Sequence, residues 1–244
     1  MPTCTVVVPC RDEVGNIEPL VQRMPTIGDH TELIFVDGGS TDGTVEAIEK
    51  AIRSHPGHDI KLMHQSGRTR KAGAVFQGFD AARGDVVMIL DADMTVPPEE
   101  LPRFFAPLAV GIADFVNGTR FQESMEAGAM KLANNAGNRV FTWILSRLTG
   151  ARLTDTLCGT KALRREDWER IAATRPLFGG YDPWGDFDLL LGAAYHGLRI
   201  VEIPIRYRAR VAGESKMHPF RDVQILIRTC VVGALRLKSA RAAR

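Results

Sequence analysis

The chain has 244 residues, 45% of them hydrophobic, with a formal net charge of +2; that is enough apolar material for one large core and too little charge to argue for nucleic acid. Its four cysteines, Cys4, Cys10, Cys158 and Cys230, are scattered without zinc or redox spacing, which fits a reduced, cytoplasmic setting. Met1 leads almost at once into a strand pattern, not a basic and apolar leader, and the longest apolar stretches, FFAPLAV and CVVGAL, fall far short of the roughly 20 residues of a membrane span, so any membrane contact is expected to be peripheral, at the inner face of the cell membrane.

Short apolar, β-branched runs alternate with helical patterns through the first half. CTVVVP reads as a strand, residues 16–24 as a helix, ELIFVD as a strand, 42–54 as a helix, IKLMHQ as a strand, 72–82 as a helix and DVVMILD as a strand. This βαβαβαβ order predicts a parallel sheet wound by helices. PPEELPRFFAPLA then reads as a proline-started helix, DFVNGTR as a strand, and residues 130–148 as a long helix with Val140, Ile144, Leu145 and Leu148 on its apolar positions. Beyond Gly150 the alternation loses its regularity: a TKALRR strand, helices near 165–174 and 187–196, the strand RIVEIPIRY, and a final helix from about 219 to 238. The expected organisation is one domain, residues 1–217, followed by a basic amphipathic helix and tail, residues 218–244.

The most informative segment is VVMILDAD, residues 86–93, in which an unbroken apolar run delivers Asp91 and Asp93 to its end with only Ala92 between them. Such a run suits a parallel strand covered on both faces, and open α/β sheets bind ligands just outside the carboxyl ends of such strands. Two carboxylates one residue apart repel unless a cation lies between them, and Mg²⁺ or Mn²⁺ takes oxygen ligands. A divalent metal carrying a diphosphate follows; the plainer alternative is a turn cap at Asp91 and a solvated Asp93. Upstream, VVVPCRDEVGNI turns from a strand into Arg11, Asp12 and Glu13 before a helix, where Glu13 is placed either to meet a base or ribose or simply to favour the helix start. FVDGGSTDGT puts Asp37 at the end of the second strand beside glycines that permit close backbone approach to a ligand, while Ser40 and Asp42 read as helix caps. SGRTRKAGA carries Arg68, Arg70 and Lys71 before a helix, suited to a diphosphate or to solvent.

Six segments, VVVPCRDEVGNI, FVDGGSTDGT, ILDAD, VNGTR, DTLCGTKALRR and RARVAGESK, occur in an order that resembles family-2 glycosyltransferases of the GT-A fold over nearly the whole chain. The GTR, DTxCGxK and GESK elements look most like those of the polyprenyl-phosphate (dolichyl-phosphate) mannosyl- and glucosyltransferases. The resemblance implies an α/β, GT-A (nucleotide-diphospho-sugar transferase) fold with a mainly parallel sheet flanked by helices. It implies that Pro9 and Glu13, with Arg11 in place of the usual Tyr, and Val36 with Asp37 line the nucleotide pocket, although Gly38 stands where a second acid is usual. It further implies that Asp91, Ala92 and Asp93 meet the donor and its metal, that Arg120 lies against the nucleotide sugar, and that Asp155 and Thr156, with Cys158, Gly159 and Lys161, shape the sugar and acceptor side. Arg210 and Lys216 match positions of a loop that closes over the diphosphate and excludes water. In PWGDFDLLLGA, Asp186 and Asp188 precede an apolar helix, and Asp188 aligns with the helix acid of the phosphate-acceptor enzymes as a base or orienting group. Asp155 as a turn cap, Asp188 as a helix cap, and Arg210 and Lys216 as solvated loop residues remain open.

The function expected is inverting, metal-dependent transfer of a hexose from a UDP- or GDP-sugar to a polyprenyl phosphate, with Asp93, Asp188, Arg210 and Lys216 at the chemistry and no nucleic acid as partner. The terminal segment interleaves apolar residues with Arg221, Arg228, Arg236, Lys238, Arg241 and Arg244, so it either lies on an anionic membrane or packs on the domain with a basic solvent face. Rival readings are a different acceptor (a glycolipid, a metabolite or a polysaccharide precursor) and a catalytically idle nucleotide-sugar-binding subunit, the latter kept open by Arg11, Gly38 and Thr95. A processive synthase is disfavoured because Q-x-x-R-W is absent. A nucleotidyltransferase lacks its glycine-rich, lysine-bearing entry loop.

Overall fold

A computed structural model describes residues 1–67, 70–121, 132–180, 182–206 and 219–242. The first half is the wound unit expected: β1 (Cys4–Cys10), α1 (Val14–Arg23), β2 (Thr31–Asp37), α2 (Thr44–Ser54), β3 (Asp59–His64), α3 (Lys71–Asp80) and β4 (Val86–Ile89). A 3₁₀ turn at Pro98–Glu100 leads into α4 (Leu101–Ala109), and β5 (Phe115–Thr119), α5 (Leu132–Thr149), β6 (Lys161–Arg164), α6 (Arg165–Thr174), α7 (Asp186–His196), β7 (Ile200–Pro204) and α8 (Pro219–Ala242) follow. A short 3₁₀ turn at Arg175–Phe178, which no periodicity announced, joins α6 to the segment before α7.

The seven strands form one sheet in the order β3-β2-β1-β4-β6-β5-β7. Strands β1, β2, β3 and β4 pair in parallel, as do β5 and β7, but β6 runs antiparallel to both β4 and β5. The chain steps outward from β1 through β2 to β3 and then returns to place β4 on the other side of β1. The strand order therefore reverses between β1 and β4, and a crevice opens at their carboxyl ends, where ligands of such sheets bind.

Period-two alternation divides the core between the two faces of the sheet. Val6, Val8 and Phe35 point into one apolar layer with Ile17, Leu20, Ile48 and Phe104 from α1, α2 and α4. Val7, Ile34 and Val36 point into the other, with Val75 and Phe79 of α3, Trp168 of α6, Leu190 of α7 and Leu226 of α8. At about 25 cal/mol per Å² of apolar surface removed from water, this two-faced burial is what makes β1 and β4 rigid enough to hold a site at their ends. Helix α8 packs against α5 and α7. Gly233 permits that close approach, since a Cβ there would stand 2.7 Å from a Leu191 methyl. No helix among the described residues is long and apolar enough to cross a membrane. All four cysteines are free and buried.

Candidate active site

The carboxyl edge of β1 turns at Asp12, which holds the left-handed conformation at φ 54°. Such turns cost an ordinary side chain about 1–2 kcal/mol, and neighbouring hydrogen bonds hold this one. The Asp12 amide donates to Ser40 Oγ at 2.9 Å and Asp12 Oδ1 accepts from the Thr41 amide at 2.9 Å. Asp42 accepts from the Val14 amide at 3.1 Å and the Thr44 amide at 3.0 Å, so it ties the starts of α1 and α2 together, although the N-cap positions themselves are Glu13 and Gly43. Ser40 and Asp42, expected as helix caps, are not at the N-cap positions; they link the turns after β1 and β2 instead. Glu13 sits half-buried just before α1 and accepts from Asn16 Nδ2 at 2.7 Å. Arg11 is exposed and lies 3.8 Å from Asp12.

Pro9 and Cys10 lie beside Val36 and Asp37 across the β1–β2 pair. Val36 is fully buried, in the layer under α3, so only its backbone borders the edge. Asp37 is also nearly buried, and its carboxylate accepts from the Gly39 amide at 3.0 Å and the Ser40 amide at 3.1 Å. It organises its own turn. Gly38 is confined: a Cβ there would stand 3.3 Å from Gln65 Oε1 and 3.5 Å from the Cys10 carbonyl oxygen, so the usual second acid would have to push Gln65 aside.

At the end of β4, Leu90 still donates to the Val7 carbonyl at 3.0 Å, after which the chain turns through Asp91 to a left-handed Met94 at φ 50°. Asp93 is nearly buried, and its Oδ1 accepts from the Thr95 amide at 3.1 Å and Thr95 Oγ1 at 2.9 Å. Ala92 points into the core. Asp91 is more open, with 31% of its side chain exposed, and the Lys71 ammonium at the first residue of α3 reaches its Oδ1 at 2.5 Å. Burial by itself would push the Lys71 ammonium down, yet Asp91, with Asp186 and Asp93 also in reach, outweighs it and the net shift is upward.

A second ammonium stands behind the first. Lys161, at the start of β6 and fully buried, donates to Asp186 Oδ1 at 2.6 Å and to the Cys158 carbonyl oxygen. Gly159 is pressed between: a Cβ there would collide with Asp91 Oδ2 and stand 2.5 Å from Lys71 Nζ. The segment before α7 closes the group from the other side, with the Ala72 amide donating to the Pro183 carbonyl at 3.1 Å. Asp91, Asp93 and Asp186 thus share Lys71 and Lys161 among them.

Asp188, the acid of α7 favoured by the sequence, lies elsewhere. It is 1% exposed, its Oδ1 has no hydrogen-bond partner, and Arg175 Nε approaches its other oxygen only to 4.0 Å, while the Arg175 guanidinium stacks 4.2 Å over the Phe76 ring. Burial first, then the neighbouring Asp182, pushes Asp188 up to about 7, against the pull of Arg175. Asp182 is itself pushed up to about 6 by burial and Asp186. Within this segment Asp186, two residues earlier, is the acid that meets the lysines.

Arg120 and Asp155 form one closed unit. The Arg120 guanidinium donates to both carboxylate oxygens, Nε to Oδ2 at 2.6 Å and an Nη to Oδ1 at 2.8 Å, and the carboxylate also takes the Asn138 amide at 3.0 Å and the Leu157 amide at 3.1 Å. Burial alone would push the fully buried Asp155 up, but the hydrogen bonds and charge of Arg120 hold it below the usual carboxylate range. Asp155 therefore positions Arg120. Of the remaining candidates, Arg68, Arg210 and Lys216 lie outside the described residues, as does Arg244, and so do the side chains of Arg221 and Arg241.

A wound sheet with a paired-acid turn at its switch point is the GT-A architecture. The model of glycosyl transferase family 2 matches residues 5–171, and the chain belongs to that family of glycosyltransferases. Crystal structures of glucosyl-3-phosphoglycerate synthase from Mycobacterium tuberculosis are similar to it. The complex with phosphoglyceric acid has a TM-score of 0.68 at 21% identity, over 94% of this chain and 80% of that one. The complex with Mg²⁺ and UDP gives 0.68 at 21% identity over 96% and 79%, and that with Mn²⁺, UDP-glucose and phosphoglyceric acid gives 0.67 at 21% identity over 94% and 80%. At that identity the likeness speaks for the fold.

Proposed function

We propose that the protein transfers a hexose, with inversion, from a nucleoside diphosphate sugar bound at the β1–β4 switch point to the phosphate of an acceptor, with Mg²⁺ or Mn²⁺ held by Asp91 and Asp93. The carrying observation is the acid pair at the carboxyl edge of β4, with a cation already resting on Asp91. The residues suit a hard divalent ion: they offer carboxylate oxygens, and an ammonium lies 2.5 Å from one of them. Among the described residues no group of three His, Cys, Asp or Glu gathers there, so the donor's diphosphate and water would complete the shell. Such an ion neutralises charge building on the departing diphosphate.

The residues of the chain do the rest. Pro9, Glu13 and the edge at Val36–Asp37 receive the base and ribose, with Arg11 at the rim. Arg120, fixed in direction by Asp155, faces the sugar, and Arg210 and Lys216, outside the described residues, are assigned to the diphosphate by the GESK resemblance alone. In the transfer, an acceptor phosphate oxygen forms a bond to the anomeric carbon from the face opposite the diphosphate. The bond from that carbon to the donor's β-phosphate oxygen breaks, and the nucleoside diphosphate leaves with the electron pair. An ionised phosphate brings no proton to be removed, so a strong base is dispensable; the start of α7 is held by Asp182, which accepts from the Phe187 amide at 2.7 Å, and Asp188 stays buried beside it.

UDP-glucose is the first donor to test, because the similar synthase binds it with Mn²⁺. A polyprenyl phosphate is the acceptor favoured by the GTR, DTxCGxK and GESK resemblance. It is supported by α8, whose outer face exposes Val223, Ile227, Val231 and Leu235 beside the cations Arg228 and Lys238, a composition suited to an anionic membrane surface. A second reading, a small phosphorylated acid as acceptor, is favoured by the phosphoglyceric acid in the similar synthase. The test is incubation with labelled UDP-glucose or GDP-mannose and Mn²⁺, with undecaprenyl phosphate or 3-phosphoglycerate as acceptor. Label in the organic phase supports the first reading; label in an anionic aqueous product supports the second, in which a hydroxyl oxygen attacks and a base must take its proton, and overturns attack by a phosphate oxygen; no transfer to either contradicts both.

A further inference from the structure

Asp91 has two claimants. It is one of the two acids offered to a divalent ion, and it is also the partner of Lys71 at 2.5 Å. The two cannot both sit on that carboxylate oxygen, since an ammonium and a divalent ion repel and each needs the same lone pairs. Nor can Lys71 retreat into the core for a new partner. Gly159 presses on it, Asp186 already accepts from the fully buried Lys161, and only 19% of the Lys71 side chain is exposed, which leaves the open crevice as its way out. In the crevice the anion to receive it is the donor's diphosphate, which the ammonium of Lys71, at the first residue of α3, would meet by charge.

Resting on the proposed donor and metal site, we infer that Lys71 is a built-in counter-ion that excludes the divalent metal from Asp91 until the donor's diphosphate draws the ammonium away. Lys71 is then a positioning residue that makes metal and nucleotide sugar bind as a linked pair. The consequence is a coupling free energy: each ligand raises the affinity for the other by the same factor, and part of that factor belongs to Lys71 rather than to direct metal–phosphate bonds. Without nucleotide, the enzyme would hold Mn²⁺ weakly and keep its acid pair neutralised.

The experiment is Mn²⁺ binding to the full chain, followed by the electron paramagnetic resonance signal of free Mn²⁺, with and without UDP, for the wild type, Lys71→Met and Lys71→Arg. Far-UV circular dichroism checks that each variant folds. Removing the ammonium is expected to tighten nucleotide-free Mn²⁺ binding by about tenfold or more and to shrink the gain in Mn²⁺ affinity brought by UDP. Lys71→Arg, which keeps a cation, is expected to stay weak like the wild type, so the effect tracks charge and not packing. Unchanged or weaker nucleotide-free Mn²⁺ binding in Lys71→Met, while the wild type binds Mn²⁺ with UDP, would overturn the counter-ion role and leave the metal site standing. Failure of the wild type to bind Mn²⁺ even with UDP would overturn the metal site and this inference together.

Discussion

Two aspartate–cation pairs, built from the same chemistry, end up with opposite characters. Asp155 is fully buried and clasps Arg120 through both oxygens, while Asn138 and the Leu157 amide take up its remaining lone pairs. Asp91 is partly open, holds Lys71 by one contact, and shares it electrostatically with Asp186 and Asp93. A satisfied, bidentate, dry pair is a fixture, because removing either partner strands a charge. A single-contact pair at a crevice, with excess negative charge around it, can exchange its cation. The first pair aims an arginine; the second keeps a place for a ligand.

That contrast breaks most sharply at the acid pair. Asp93→Ala is expected to lower kcat/KM for sugar transfer by on the order of 10²–10³ while leaving the thermal midpoint close to that of the wild type. Transfer assays beside a melting curve check both halves, and equal losses in each would move Asp93 to the structural side. Asp155→Ala should do the reverse in emphasis. It leaves the Arg120 guanidinium and Asn138 without their partner, at about 3–5 kcal/mol in denaturant unfolding, and a loss below about 1 kcal/mol would show that the pair is not the fixture its geometry suggests.

Asp188 sharpens the comparison as a buried acid without a full partner. Its folded pKa, about 7, lies above the ordinary value of 3.8, so between those values the folded chain keeps a proton that the unfolded chain has lost. Stability must therefore fall as pH rises through that window. Asp188→Asn is expected to remove part of this fall and to stabilise the protein at pH 8 by on the order of 2 kcal/mol, with little effect at pH 4. Asp182, pushed up to about 6, supplies the slope that remains. Urea unfolding across pH measures it, and a variant with the wild-type slope would mean that Asp188 is ionised in the fold. The smallest effect belongs to Arg199, which grips Asp114 with the same bidentate geometry, 2.8 Å on both oxygens, but with more than half of its own side chain exposed. Arg199→Ala should lower the denaturation midpoint only slightly, and far less than Asp155→Ala does, because a pair with one exposed member gains little whatever its shape.

Much of the wound half was legible because apolar runs and helical periods alternate there without interruption, and each run had one face or both to bury. The reversal of β6 was not legible: the four residues KALR show a strand but carry nothing that sets its direction. The edge acids could be read because a buried run ending in two carboxylates is improbable without a use for them. Their partners could not. Lys71 meets Asp91 and Arg120 meets Asp155 across stretches of chain with no local pattern linking them, and only the sheet order brings them together. The choice between Asp186 and Asp188 likewise depends on the phase of α7, which a segment apolar on nearly every later position does not reveal.

The most direct test is calorimetric titration of UDP-glucose into the wild type and Asp93→Ala, each with Mn²⁺ and with EDTA. Binding by the wild type that depends on Mn²⁺, and its loss in the variant, is the predicted result. Equal binding with EDTA, or Mn²⁺-dependent binding that survives in Asp93→Ala, would contradict a metal held by the acids at the end of β4.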